Sequence, residues 1–240
     1  MTNKAAMIFL PGLMCDQTVW RAQLAAFAGP YECTVADYGN LDSLPAMAAA
    51  VLADAPDEFL LVAHSMGGRV ALEMFRLAAE RIKGLALLDT GYQARDPGEA
   101  GVREREGRMA LLALARARGM RAMGEKWLSG MVHPDRRDDS PMIEAILDMI
   151  ERKTPEIFAA QAHALLARPE AGPLLPLIRC PTLILCGRED AWSPPARHEE
   201  MARLIPGASL VLVDHCGHMS PLERPDKVNG ALHAWRNTVA

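Results

Sequence analysis

Six short apolar runs, AAMIFL, ECTVADY, FLLVA, GLALLDT, PTLILCG and ASLVLVD, recur along a chain of 240 residues with amphipathic stretches between them. Several lack polar residues at alternate positions, so both faces must be buried, which is the pattern of parallel strands covered by helices. Between the first two runs, QTVWRAQLAAF places Trp20, Leu24 and Phe27 at helical spacing and stops at Gly29-Pro30. After the third, GRVALEMFRLAAE does likewise with Val70, Met74, Phe75 and Ala78. The expected class is therefore α/β, with about six mainly parallel strands flanked by helices.

The rhythm breaks after GLALLDTGY. No strand-like run follows until CPTLILCG. The space between holds two helix-like blocks, VREREGRMALLALARARGMRAMGEKWLSGM and PMIEAILDMIERKTPEIFAAQAHALLA, split by the turn-rich HPDRRDDSP. Residues 1–92 and 179–240 are expected to form one core, with 93–178 a helical lid inserted after the fourth predicted strand. The insertion carries six of the fourteen methionines. Thioethers suit an adaptable apolar pocket and fill ordinary helical cores equally well; Met123 is the candidate pocket residue among them. ARARGMR looks basic, but residues 93–172 hold 13 Lys plus Arg and 13 Asp plus Glu, so it reads as a solvated face.

The third run leads into VAHSMGGRVAL, a strand, a serine and a helix start, with Ala63 and Gly67 two residues either side of Ser65. A sharp strand-to-helix turn of this kind brings neighbouring backbone close, so only small residues fit those flanks, and the helix N-terminus favours negative charge nearby. Ser65 is placed to attack an acyl carbon. A serine hydroxyl needs a base, and the base needs an acid to fix its tautomer. His218 lies just past the sixth run in DHCGHMSPLERP, with His215 as a competitor. Asp190 follows the fifth run in GREDAWSPP, with Glu189 as its neighbour and Asp89 and Asp214 as alternatives. All three chosen residues fall at strand ends, in the order serine, acid, histidine, where open α/β sheets build their sites. Trp192, two residues past Asp190, is a second pocket candidate. The N–H of Met66, following the nucleophile, is an expected oxyanion donor.

Composition narrows the class of partner. A formal net charge of -4 without a basic tract disfavours nucleic acid and anionic membranes, leaving a small neutral molecule. No segment reaches the roughly 20 apolar residues that span a bilayer. The amino terminus has one Lys and an early Pro-Gly, too little for a signal peptide. Five scattered cysteines without a Cys-x-x-Cys pair suggest neither a disulfide framework nor a zinc site. A cytoplasmic protein without metal or cofactor is expected, its oligomeric state open.

AHSMGG, GREDAWSP and GHMSPLERP together resemble the α/β-hydrolase superfamily, more narrowly its carboxylesterase- and lactonase-like members with a helical lid. The resemblance implies that the loop after the first strand, Leu10-Pro11-Gly12-Leu13, supplies the other oxyanion donor. Pro11 has no N–H, which leaves Leu13. That loop departs from the family, whose members usually carry His-Gly there. The implied activity is hydrolysis of small, largely apolar carboxylic esters through an acyl-enzyme, extending to lactones. The alternatives are a triad enzyme with other chemistry (C–C bond hydrolysis, cofactor-free elimination, perhydrolysis) and a ligand receptor on the same fold.

Overall fold

The computed structural model describes residues 4–239. Six strands, β1 (Ala5–Leu10), β2 (Tyr31–Val35), β3 (Phe59–His64), β4 (Ile82–Leu88), β5 (Thr182–Gly187) and β6 (Ser209–Val213), form one sheet in the order β2-β1-β3-β4-β5-β6. Every adjacent pair is parallel; Ala6 faces Phe59 across β1 and β3, for example, and Leu85 faces Thr182 across β4 and β5. The runs without polar alternation are the interior strands. All six residues of β3 and of β5 are buried, whereas the edge strand β2 alternates and β6 is largely open.

Helices α1 (Arg21–Phe27), α2 (Leu44–Asp54) and α3 (Met66–Ala78) connect the first four strands. α2 packs on α3, while α1 packs on the last helix of the chain. Between β4 and β5 come α4 (Glu99–Leu128), α5 (Ser140–Glu151) and α6 (Pro155–Leu166). α4 is kinked at Gly119, where φ is +89°, a conformation only glycine takes without strain. α7 (Pro195–Leu204) precedes β6, and α8 (Ser220–Glu223) and α9 (Pro225–Arg236) close the chain. Side-chain caps set several helix starts: Ser43 accepts from the Ala46 N–H and Thr154 from that of Ile157, at 3.3 Å each.

The inserted helices share the apolar interior of the sheet domain. Phe9 and Trp20 lie under the carboxyl end of β1, wholly buried with ring centroids 5.2 Å apart, and burying each such side chain contributes roughly 1.5–3 kcal/mol. α5 packs beside the Gln17–Trp20 turn, and Arg152 pairs with Asp16 at 2.7 Å. Strand order reverses between β1 and β3: β2 lies to one side of β1, and all later strands lie to the other. The crevice of an open parallel sheet forms outside the carboxyl ends at such a point. No helix among the described residues is long and apolar enough to cross a membrane.

Candidate active site

Backbone strain marks this crevice. Among the described residues four non-glycine residues have positive φ, Met14 (62°), Ser65 (54°), Asp89 (49°) and His215 (52°), in the loops after β1, β3, β4 and β6. Such conformations cost on the order of 1–3 kcal/mol each and persist only where the surroundings hold them. At Ser65 the surroundings are specific. Its N–H donates to the Leu88 carbonyl at 2.9 Å, while its own carbonyl accepts from the Gly68 N–H at 3.0 Å and the Thr90 hydroxyl at 2.6 Å. A Cβ on Gly67 would overlap the carbonyl oxygen of Leu10, and one on Gly68 would meet the Thr90 side chain. The small residues of SMGG are thus required by the approach of β1 and of the loop after β4.

The three residues chosen from sequence come together. His218 Nε2 stands 2.8 Å from Ser65 Oγ, and its Nδ1 stands 2.8 Å from Asp190 Oδ2. Asp190 Oδ1 accepts the N–H groups of Trp192 and Ser193, both at 2.9 Å. Burial opposes the carboxylate, but the His218 charge and these hydrogen bonds outweigh it and hold Asp190 below the usual carboxylate range. Burial likewise opposes an imidazolium at His218, yet the charge and hydrogen bond of Asp190, with Asp89 and Glu223 beyond, raise its pKa.

The competing residues have other partners. His215 is exposed and edge-on to His133. Glu189 accepts the Cys216 N–H at 2.9 Å, and Asp214 pairs with Arg188 at 2.5 Å on the surface. Asp89 is buried and accepts from the Gly187 N–H at 2.9 Å and the Ser220 hydroxyl at 2.5 Å, not from the His218 ring. Burial, then the charge of Asp190, raises its pKa well above the carboxylate range.

Three buried residues hold this arrangement without having stood out in the sequence. Neutral His64, pushed down to about 3 by burial, places its Nε2 at 2.7 Å from the His218 carbonyl oxygen. Glu223 accepts the N–H groups of Gly217 and Met219 at 3.1 Å and of His133 at 2.8 Å, tying the histidine loop to the inserted segment. Gln161 of α6 accepts the Met14 N–H at 3.0 Å and donates to the Gly39 carbonyl at 3.1 Å. The sequence signals were the place of His64 next to Ser65 and, for Glu223, the Glu-x-Pro end of GHMSPLERP; Gln161 had none.

Gln161 fixes the loop after β1 from above, and a tight turn from the Cys15 N–H to the Gly12 carbonyl at 3.1 Å fixes it from within. A Cβ on Gly12 would lie 3.0 Å from His64 Nδ1 and 3.2 Å from Ser65 Cβ, so the Pro-Gly turn sits directly against Ser65. Among the described residues no acceptor receives the Leu13 or Met66 N–H. The Cys15 thiol, pushed up to about 12 by burial and then by Asp16, is not a thiolate near neutral pH.

A cavity of about 1020 Å³ opens beside Ser65 and His218. Leu13, Leu111, Leu114, Trp127, Met131 and Trp192 give it an apolar side. Trp192 stacks on Trp127 at 5.3 Å and stands 4.9 Å from the His218 ring. The expectation for Met123 is corrected. It is wholly buried in the helical core and does not line the cavity, its flexible thioether filling helix packing instead. Met131 and Met219 line it instead.

Among the described residues two groups gather possible metal-ligand atoms, His133 with Asp135 and His215, and Asp89 with Cys186 and Asp190. In the second, all four carboxylate oxygens already accept hydrogen bonds.

The sequence model of the alpha/beta hydrolase family matches residues 7–231. The chain is 27% identical over 199 residues to the pimeloyl-[acyl-carrier protein] methyl ester esterase of Aromatoleum aromaticum, covering 77% of this chain and 76% of that protein. Among solved structures it resembles a thermophilic esterase from Thermogutta terrifontis (TM-score 0.86, 28% identity, 99% of this chain and 92% of that one). It also shares the fold of the enol-lactonase from Burkholderia xenovorans LB400 (TM-score 0.81, 24% identity, 98% and 92%).

Proposed function

The chain belongs to the alpha/beta hydrolase family, and on that premise we propose that it is a serine esterase whose nucleophile is Ser65. The observation that carries this reading is the relay of two 2.8 Å contacts from Ser65 Oγ through His218 to Asp190. His218 Nε2 takes the hydroxyl proton as Oγ attacks the ester carbonyl, and Asp190 holds the Nδ1–H tautomer and stabilises the imidazolium. The oxyanion that develops meets the free N–H groups of Leu13 and Met66. His218 then passes its proton to the leaving alcohol. Water, deprotonated by His218, attacks the acyl-enzyme and releases the acid.

Substrates are small esters with an apolar portion, seated against Leu111, Leu114 and the stacked Trp127 and Trp192. Lactones fit the same chemistry, because ring opening leaves the alcohol tethered to the acyl group. Residues 93–178 act as a lid over the core formed by 1–92 and 179–240, since α4 supplies much of the apolar wall. Five unpaired thiols fit a reducing compartment, and the cytoplasm is the proposed location. Purified protein is expected to turn over p-nitrophenyl acetate and butyrate repeatedly, and Ser65→Ala to abolish that turnover. Tight ligand binding with no turnover of any ester would indicate a receptor instead.

A further inference from the structure

Four arginines from separate parts of the chain meet on the other side of the cavity beside Ser65: Arg69 of α3, Arg108 of α4, Arg168 just past α6 and Arg197 of α7. Two of them share one carboxylate. Arg168 grips Glu104 through two bonds at 2.7 and 2.8 Å, and Arg108 reaches the same carboxylate at 3.0 Å. Against burial, these arginines hold Glu104 at about 2. Its charge is already shared between two guanidinium groups.

Arg69 and Arg197 have no such partner. Arg69 donates to the Gln93 carbonyl at 2.8 Å and Arg197 to the Trp192 carbonyl at 3.3 Å, and among the described residues neither forms an ion pair. They also converge. Arg69 Nη2 and Arg197 Nη1 lie 3.0 and 3.3 Å from the point that a Cβ on Gly91 would occupy. Burial, followed by the charges of Arg168 and Arg197, lowers Arg69 to about 9. Like charges held close and partly out of water lose hydration and repel. A carboxylate between them would relieve both costs, because its two oxygens match the planar guanidinium fork.

The pair is also placed with respect to the chemistry. Arg69 follows Ser65 by four residues, one helical turn or about 6 Å along α3. Gly91 follows Thr90, whose hydroxyl bonds the Ser65 carbonyl at 2.6 Å. From this juxtaposition we infer that the ester substrate carries a carboxylate, a short spacer away from the scissile carbonyl, which Arg69 and Arg197 bind. The inference rests on the esterase reading and narrows it. The substrate is an amphiphile, apolar along the tryptophan side of the cavity and anionic at the arginine pair.

Monomethyl and dimethyl glutarate test it, since they differ at one end only by a charge and a methyl group. The ratio of kcat/KM for the half-ester over the diester is expected to exceed ten in the wild type, chiefly through KM. It should fall at least ten-fold in Arg197→Gln and recover in part in Arg197→Lys, whatever change is common to both substrates. A wild-type ratio near one, or a ratio that Arg197→Gln leaves unaltered, overturns the inference. If no ester at all is hydrolysed, the esterase reading fails and the anion site is judged separately, by glutarate binding to Ser65→Ala followed through tryptophan fluorescence. Saturable binding weakened at least ten-fold by Arg197→Gln upholds the site; absence of binding removes it.

Discussion

His64 Nε2 lies 2.7 Å from the carbonyl oxygen of His218, so the residue before Ser65 holds the backbone of the histidine beside Ser65. His64 is buried and neutral, with its pKa near 3, and its Nε2–H donates. His64→Phe keeps the apolar packing against Trp20 and deletes this bond. A neutral hydrogen bond is worth about 1 kcal/mol. The expected result is a several-fold fall in kcat with KM little changed and a folded protein by circular dichroism.

Asp190→Asn tests the other end of the relay. An amide cannot both accept the Nδ1 proton of His218 and keep the N–H groups of Trp192 and Ser193 satisfied by a charge. The ring then adopts the wrong tautomer, and kcat should fall by roughly 10,000-fold. The pH profile discriminates further. The His218 pKa is raised, largely by Asp190 acting against burial, so wild-type kcat/KM should rise with pH through a midpoint above the usual histidine value of about 6.5. Without the Asp190 charge the imidazolium loses its stabilisation, and the midpoint of residual activity should move down.

Two buried neutral histidines oppose acid. His198 Nε2 accepts the Thr90 N–H at 2.9 Å, which it can do only unprotonated. Burial lowers its pKa to about 4 and that of His64 to about 3. Both folded values lie below the unfolded value of about 6.5, so the unfolded chain binds more protons in between. The stability these two histidines contribute above pH 6.5 should therefore be lost progressively as pH falls towards 3, offset in part by Asp89 and His218, whose raised pKa values act in the opposite sense. Urea denaturation at half-unit pH intervals checks this. A midpoint that stays constant from pH 7 to 4.5 would contradict it.

Gly67→Ala tests the packing behind the elbow. The added methyl would overlap the Leu10 carbonyl oxygen, backbone of the central β1 that cannot swing aside. Overpacking of this kind costs about 1–3 kcal/mol, and more where backbone must move. A clear drop in the thermal midpoint is expected, together with lost esterase activity, because the same shift displaces the Leu13 loop.

Much of the fold was legible because strand burial leaves a local mark. FLLVA and PTLILCG lack polar alternation since their strands, β3 and β5, lie inside the sheet, and SMGG is small because Leu10 and Thr90 approach it. Ser65, Asp190 and His218 could be chosen by their place at strand ends. What pairs across distant parts of the chain was not legible. Gln161 meets Met14 only once α6 folds over the sheet. ARARGMR attracted attention as a basic stretch, yet Arg116 and Arg118 are exposed and Arg121 is clasped by Glu144, Asp148 and Glu151 on the outside. The arginines that line the cavity are scattered at 69, 103, 108, 168 and 197, and no local pattern distinguishes them. Met123 failed for a related reason, as a flexible thioether suits a pocket wall and a helical core alike and its sequence neighbours do not say which it meets.

The central claim is that Ser65 is the nucleophile, and the most direct measurement is mass spectrometry of the protein after treatment with a fluorophosphonate. The account predicts one phosphonyl adduct per chain, mapped to the peptide containing Ser65, formed in step with loss of p-nitrophenyl acetate hydrolysis and absent from Ser65→Ala. Esterase activity that survives with Ser65 fully modified, or an adduct on another residue that tracks the loss of activity, would contradict it.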